Sequence, residues 1–397
     1  MINASPRRDL RLIRLYFFTW LGGSAFLSPF ISLFYLEKGL NGTEIGLLGT
    51  IWAVAGLAAA PLWGRWSDHT TRPRQLIQVA LLGSAACMLL LSQQSIFWIM
   101  AVVIGTDALI ASGVDSISSL QAISVTQGSE KAGFGSVRLW GSLGWALLAP
   151  VAGWLIERTS LLSAFLGYAV FMIASVAALA FIRTGASSAP KGSTGPHPDL
   201  GHILKALLRD RSLVGMALAT IILVLSMSGT YRFEAIYLRQ LGAQESIIGL
   251  ANTVGALIEL PAMLWADRLV HRYGAGRVLM TAFLLHAGSM VFVLAHPAVI
   301  TIFIMRFLHG VAYSLYLVAF TKFIIEHTPG LQQAMVLAIY SVTLPGLIQI
   351  LAGPLSGLIF DTIGAYWLYA CALVGNLICW LTMYLSTKPT RLAILKI

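Results

Sequence analysis

Charged residues are scarce in this sequence. Only 11% of its 397 residues are Asp, Glu, Lys or Arg, whereas 57% are hydrophobic. Soluble domains carry about 25% charged residues, so this composition excludes an ordinary soluble enzyme. The net charge of +10 does not indicate nucleic-acid binding, because the basic residues form short clusters between apolar runs.

Cysteines and catalytic motifs are equally sparse. The three cysteines, Cys87, Cys371 and Cys379, lie inside apolar runs, so no disulfide framework is expected. The sequence contains no metal-ligand cluster, no phosphate-binding loop and no nucleophile elbow. We therefore expect neither an enzyme nor an ATP-driven transporter, and no metal or cofactor.

Long apolar runs dominate the chain. A helix needs about 20 apolar residues to cross the hydrocarbon core of a bilayer. By that measure the sequence predicts an all-α membrane protein with twelve transmembrane helices. The predicted spans start near Leu15, Glu44, Gln75, Phe97, Ser136, Leu162, Leu213, Ser246, Val278, Val299, Gln333 and Gly364.

The basic residues predict the orientation of these spans. Of the 26 Lys and Arg residues, nineteen fall on the side of the two termini when the N-terminus is placed inside. The opposite loops hold only Lys38, Arg158 and Arg239. Because cytoplasmic loops carry the excess of Lys and Arg, we expect a multi-pass protein of the plasma (inner) membrane with both termini in the cytoplasm.

Two halves of the sequence repeat each other at an offset of about 200 residues. PLWGRWSD at 61–68 corresponds to PAMLWAD at 261–267, and APVAG at 149–153 corresponds to GPLSG at 353–357. A polar segment rich in Pro and Gly separates the halves. We therefore predict six-helix bundles at 1–185 and 212–397, joined by a cytoplasmic linker at 186–211 that ends in a short amphipathic helix. Paired bundles of this kind form alternating-access carriers.

The segment 64–74 (GRWSDHTTRPR) resembles the motif that the major facilitator superfamily carries between its second and third helices. A second copy starts at Asp267-Arg268 but lacks the leading glycine. The resemblance covers the whole chain and implies two pseudo-symmetric six-helix bundles. It also implies that Asp68, Arg72, Asp267 and Arg268 belong to a cytoplasmic gate. The alternative for the loop residues is a role in solubility alone.

Span 5 carries a narrower resemblance. Residues 134–147 (FGSVRLWGSLGWAL) are similar to the matching helix of the lactose permease and phenylpropionate permease branch of proton symporters. In the lactose permease the arginine and tryptophan at the positions of Arg138 and Trp145 hold the sugar, and both relatives share the histidine at His309. This chain departs from the lactose permease at Ala256, Ser289 and Ala312, so a lactose-type proton circuit is not intact.

Charges inside spans are functional candidates, because an ionisable side chain at mid-membrane costs several kcal/mol unless it is paired or wet. In span 4, Asp107 and Asp115 point about 80° apart around the helix. We favour Asp115 for substrate or proton binding because its position resembles that of the acidic residue in the phenylpropionate branch, and it could pair with Arg138 of span 5. In span 8, Glu259 is the first choice for the proton site, with Asn252 on the same face. Shielding from water lets such a carboxylate exchange protons near neutrality.

Each of these residues also has a structural interpretation. Asp115 and Arg138 could be an ion pair that fixes span 4 to span 5, and Trp145 a packing residue. Glu259 could be paired permanently with Arg232 or Arg306, and His309 could be hydrogen-bonded to a neighbouring helix. Arg232 and Glu234, near the outer end of span 7, are further candidates for a gate.

The sequence favours a proton-coupled symporter that imports a sugar, nucleoside or aromatic acid as a monomer. The alternative is a proton-driven drug or metabolite efflux antiporter, whose motif in helix 5 is only partly matched at 149–154. A lipid flippase is disfavoured by the buried charges. Sodium in place of the proton stays open, as does the identity of the substrate.

Overall fold

The computed structural model describes residues 6–70, 72–126, 133–182, 207–328 and 330–387. All regular structure within these ranges is helical, and twelve segments in them are long and apolar enough to cross a membrane. The predicted all-α architecture with twelve spans is therefore confirmed. Residues 186–206 of the predicted linker lie outside the described residues, as do Lys131 and the basic tail at 388–397.

The spans are numbered in chain order. Spans 1 to 6 are Arg7–Glu37, Gly42–Ser67, Pro73–Ser92, Phe97–Thr126, Phe134–Arg158 and Leu162–Ala180. Spans 7 to 12 are Arg211–Gln240, Glu245–Tyr273, Ala275–Ala295, Val299–Glu326, Met335–Ile363 and Ala365–Thr387.

Three spans are interrupted. Span 1 consists of the helices Pro6–Leu27 and Ile31–Glu37, and span 4 of Phe97–Ala111 and Val114–Thr126. Span 11 runs through Gln333–Ala338, a π turn at Ile339–Thr343 and Leu344–Ile363. The helix of span 2 continues to His69. It begins at a capping box, in which the Asn41 side chain accepts from the Glu44 amide at 2.8 Å and the Glu44 carboxylate accepts from the Asn41 amide at 2.9 Å.

The repeated motifs occupy corresponding spans. Pro61 and Pro261 lie inside the helices of spans 2 and 8, and Pro150 and Pro354 lie inside those of spans 5 and 11. Proline in a helix interior removes one backbone hydrogen bond and favours a bend. The two sequence copies thus place the same helix irregularity at the same point of each half.

The chain divides into two compact units. Unit 1 comprises Met1–Gly195 and Ala235–Leu257, and unit 2 comprises Pro196–Glu234 and Ile258–Ile397. The last residues of span 7 and the first part of span 8 therefore belong to unit 1. The division of the chain into two bundles at the linker 186–211 stays a prediction. The core of unit 1 includes Ile13, Tyr16 and Phe17, and that of unit 2 includes Phe283, Phe320 and Phe323, all buried.

Two glycines allow close helix crossings within unit 1. A Cβ atom at Gly144 of span 5 would overlap the backbone carbonyl of Phe18 in span 1. A Cβ atom at Gly249 of span 8 would likewise overlap the carbonyl of Ala149 in span 5. Thr253 adds a hydrogen bond to the Ala146 carbonyl at 2.7 Å. Small residues at such crossings are what lets membrane helices pack backbone to backbone.

Candidate functional site

Asp115 and Arg138 form an ion pair in unit 1. Arg138 Nη1 donates to Asp115 Oδ1 at 2.8 Å, and the two side chains are 43% and 62% exposed. The pairing expected between spans 4 and 5 is therefore present. The helix that carries Asp115 also presents Ser116 and Ser119 on its accessible side, so the pair lies on a polar face.

Trp145 lies two helical turns beyond Arg138, about 10.5 Å along the helix axis. It is half-buried. Gly141, between the two, packs against Leu21 of span 1, so the neighbour that approaches closely at this position is a helix. The exposed fork of Arg138 and the indole N–H of Trp145 are suited to polar groups of a solute.

The ends of spans 7 and 8 in unit 1 carry a charge cluster that the sequence did not reveal. Arg239 donates to Glu37 at 2.8 Å and to Glu245 at 2.5 Å. In addition, the amide of Ser246 donates to Glu157 Oε2 at 3.3 Å. The sequence places Arg239 only in an outer loop. Of its two acidic partners, Glu37 is far away along the chain and Glu245 lies on the next span, so the sequence indicates neither contact. Asn252, predicted to bind substrate, donates its amide to the Ile248 carbonyl of its own helix at 3.0 Å.

Glu234 and Arg306 form a second ion pair, inside unit 2. Arg306 Nε and Nη2 lie 2.6 and 2.5 Å from Glu234 Oε1, and the side chains are 16% (Arg306) and 5% (Glu234) exposed. Glu234 is thus bound to Arg306 in the interior of the unit, and a gating role for it stays a prediction. Arg306 contacts Glu234 and acts on Glu259 only through its charge, so the Glu259–Arg306 ion pair considered from the sequence is not formed at contact distance.

His309 is buried beside this pair. Its Nε2 atom is 3.1 Å from the Tyr231 hydroxyl, and its ring stacks on His286 at a centroid distance of 4.7 Å. Hydrogen bonding to a neighbouring helix, the structural alternative, is therefore realised for His309. A small pocket is lined by Met227, Thr230, Tyr231, Glu234, Met290, Met305, Arg306 and His309. This pocket combines thioether, hydroxyl and charged groups within one unit.

Glu259 is half-buried in the helix of span 8, two residues before Pro261. Its backbone carbonyl accepts from the Ser314 hydroxyl at 3.1 Å. No basic side chain in the described part of the chain lies within ion-pair distance of its carboxylate. Unlike Asp115 and Glu234, this carboxylate therefore has no ion pair at contact distance in the described residues, although the charge of Arg306 acts on it from farther away.

The predicted gate residues lie at the ends of spans. Asp267 pairs with Lys322 of span 10 at 2.6 Å, and Lys322 Nζ is also 3.1 Å from His271 Nε2. Arg268 is exposed. In unit 1, Asp68 lies near the end of the helix Gly42–His69, and the exposed Arg72 immediately precedes the helix of span 3. A gating role for these residues stays a prediction.

Comparison with known proteins places the chain in a family. Residues 10–371 match the model of the MFS_1 like family. The maltose permease of Geobacillus stearothermophilus is 25% identical over 370 residues, which cover 92% of either chain. The multidrug resistance protein MdtG of Dickeya zeae is 24% identical, covering 79% of this chain and 80% of its own.

Among solved structures, a mutant of the nucleoside transporter NupG superposes with a TM-score of 0.83 at 15% identity, covering 96% of this chain and 100% of its own. That likeness establishes a shared fold. The relatives are transporters, which confirms the expectation that this chain is not an enzyme. We conclude that the chain belongs to the MFS_1 like family and is a multi-pass membrane transporter of the major facilitator type.

Proposed function

We propose that this transporter is a proton-coupled symporter that imports a small polar or aromatic solute by alternating access. The observation that carries the proposal is Glu259, a half-buried carboxylate within a membrane span that has no basic side chain within ion-pair distance in the described residues. A charge in this position is costly unless it is neutralised, and proton binding is the direct way to neutralise it. Glu259 is therefore the proton site of the proposed cycle.

The substrate contacts are assigned first to unit 1. Arg138 can exchange its exposed partner Asp115 for hydroxyl pairs or a carboxylate of a solute, and the Trp145 ring can stack on a sugar or aromatic ring. Asp115, Asn252 and His309 are further candidates for substrate binding, and Asp115 is a second candidate for the proton. The names of two relatives, a maltose permease and a nucleoside transporter, support a sugar or nucleoside.

The transport test is Glu259→Gln in proteoliposomes. We expect loss of proton-gradient-driven accumulation of the solute, with exchange of internal for external solute retained, because the amide keeps the shape of the side chain but cannot titrate. Glu326→Gln, at the exposed end of span 10, is the matched control and should keep both activities. Equal loss of accumulation and exchange in Glu259→Gln would remove Glu259 from the proton pathway.

The solute is identified by a thermal-shift experiment on the purified protein. Maltose, uridine and 3-phenylpropionate are tested at pH 6 and pH 8. A ligand at about a hundred times its dissociation constant adds about 2.7 kcal/mol to native stability, which raises the melting temperature. We expect one of the three probes to stabilise the protein more strongly at pH 6, because protonation of Glu259 is part of the proposed cycle.

The competing function is drug efflux by proton antiport, which the MdtG relatives favour. Transport direction separates the two. An importer accumulates the stabilising solute in right-side-out vesicles that are acidic outside, whereas an antiporter accumulates it in inside-out vesicles that are acidic inside. Stabilisation by hydrophobic cations together with accumulation in inside-out vesicles would establish efflux instead.

A further inference from the structure

Asp107 is a second intramembrane carboxylate that the proposed cycle does not use. It lies in the helix Phe97–Ala111 of span 4, in the apolar sequence FWIMAVVIGTDALIA, and is 6% exposed. Asp115, eight residues later in the same span, is exposed and paired with Arg138. The two acids of span 4 therefore lie in opposite environments.

A chain of hydroxyl groups from two other spans leads to Asp107. Ser84 of span 3 donates to Asp107 Oδ1 at 2.5 Å, and Ser84 Oγ lies 2.7 Å from the Tyr168 hydroxyl of span 6. These three side chains form a continuous chain of hydrogen bonds across unit 1, which we call the Asp107 cluster. The side chain of Trp52 in span 2 is hydrogen-bonded to the same carboxyl group.

Within the described residues, no basic side chain is close enough to balance this carboxyl group. The titratable groups that face it are Tyr168 from span 6 and Cys87 from span 3, both neutral or negative when they titrate, and the Trp52 indole of span 2 does not titrate. No basic side chain of the described residues is within ion-pair distance of Asp107. An ionised carboxylate in such a place suffers a large desolvation penalty that requires a close counter-charge, and neutral hydroxyls do not supply one.

We propose that Asp107 holds a proton in this conformation and is a proton-binding site of unit 1, separate from Glu259. Ser84 links the Tyr168 hydroxyl to Asp107 Oδ1 through two hydrogen bonds, so the protonated carboxyl group is held in place by the Asp107 cluster. Binding is a reversible O–H bond formation with a water-derived proton. A neutral Asp107 lets spans 3, 4 and 6 pack without a counter-ion, and losing the proton places an unbalanced charge in the interior of the unit.

The test is infrared spectroscopy of the purified full-length protein, which detects the C=O stretch of protonated carboxyl groups. We expect the Asp107→Asn variant to lose one carboxyl equivalent of this absorbance at neutral pH relative to the wild type. Unchanged absorbance would show that Asp107 is ionised and would overturn the proposal. The readout needs no substrate and no transport, so the result is independent of whether Glu259 couples transport to protons.

Two further variants keep the test decisive if Asp107→Asn does not fold. Ser84→Ala and Tyr168→Phe each remove one hydroxyl of the Asp107 cluster, so the frequency of the Asp107 band should shift because its hydrogen bonding changes. Glu259→Gln, in unit 2, should leave that band in place. If the Asp107 carboxyl band appears only when sodium is replaced by choline, a sodium ion occupies the site in sodium buffer. That result would overturn the proton assignment.

Discussion

The two arginine–carboxylate pairs of this transporter have the same chemistry and opposite surroundings. Asp115–Arg138 in unit 1 is joined by one contact of 2.8 Å between exposed side chains. Glu234–Arg306 in unit 2 is joined by two contacts of 2.5 and 2.6 Å between nearly buried ones. Exposed pairs contribute at most about 1 kcal/mol, whereas breaking a buried pair leaves a charge without compensation. We therefore expect the first pair to exchange partners readily and the second pair to hold spans 7 and 10 together.

The largest expected effect is loss of stability on breaking the buried pair. Glu234→Gln removes the charge that balances Arg306, and we expect the free energy of unfolding to fall by about 3–5 kcal/mol. Unfolding in detergent, followed by tryptophan fluorescence, measures this change. Replacing both partners, as in Glu234→Gln with Arg306→Met, should restore part of the loss because no unpaired charge remains. A single variant as stable as Glu326→Gln would contradict the assignment.

A smaller effect is expected at the exposed pair, and in binding rather than stability. Arg138→Lys keeps the positive charge but loses the planar fork, so we expect solute binding to weaken roughly tenfold, about 1.4 kcal/mol. The free energy of unfolding should change by no more than about 1 kcal/mol. Titration calorimetry with the stabilising solute measures the first quantity and chemical unfolding the second. A large stability loss with unchanged affinity would make this pair structural as well.

The smallest effect on stability is expected at the predicted cytoplasmic end of unit 2. Asp267→Asn removes the partner of Lys322, but Asp267 is exposed and Lys322 only half-buried, so the melting temperature should not change measurably. If Asp267 belongs to the gate, the initial rate of transport should nevertheless fall. Parallel measurements on Arg268→Gln show whether the effect belongs to the ion pair or to the loop. An unchanged rate in Asp267→Asn would remove it from the gate.

Apolar runs and local spacing predicted much of this architecture. The twelve spans follow from hydropathy, and the Asp115–Arg138 pair follows because spans 4 and 5 are consecutive. The first helix begins at Pro6, nine residues before the predicted start at Leu15. Arg7, Arg8 and Arg11 are too polar for the hydropathy criterion to count them in the predicted span. They nevertheless belong to the same helix, in which Asp9 is buried.

Partners on distant spans could not be predicted in this way. Glu234 and Arg306 are 72 residues apart, and Ser84 and Tyr168 are 84 apart. Helical periodicity states which face of a span a residue occupies but not which other span covers that face. Both acids of span 4 were therefore recognised, whereas the hydroxyl chain around Asp107 became visible only in the folded chain.

The π turn at Ile339–Thr343 bears on how the two halves diverged. A π turn holds one residue more than an α turn, which rotates the following side chains by about 100° around the axis relative to an uninterrupted helix. The repeat itself carries extra residues in the second half, since Pro261 follows Pro61 by 200 positions and Pro354 follows Pro150 by 204. Insertion of one residue therefore rotates the rest of a duplicated helix. Different side chains then face the neighbouring helices, although none of them has been substituted.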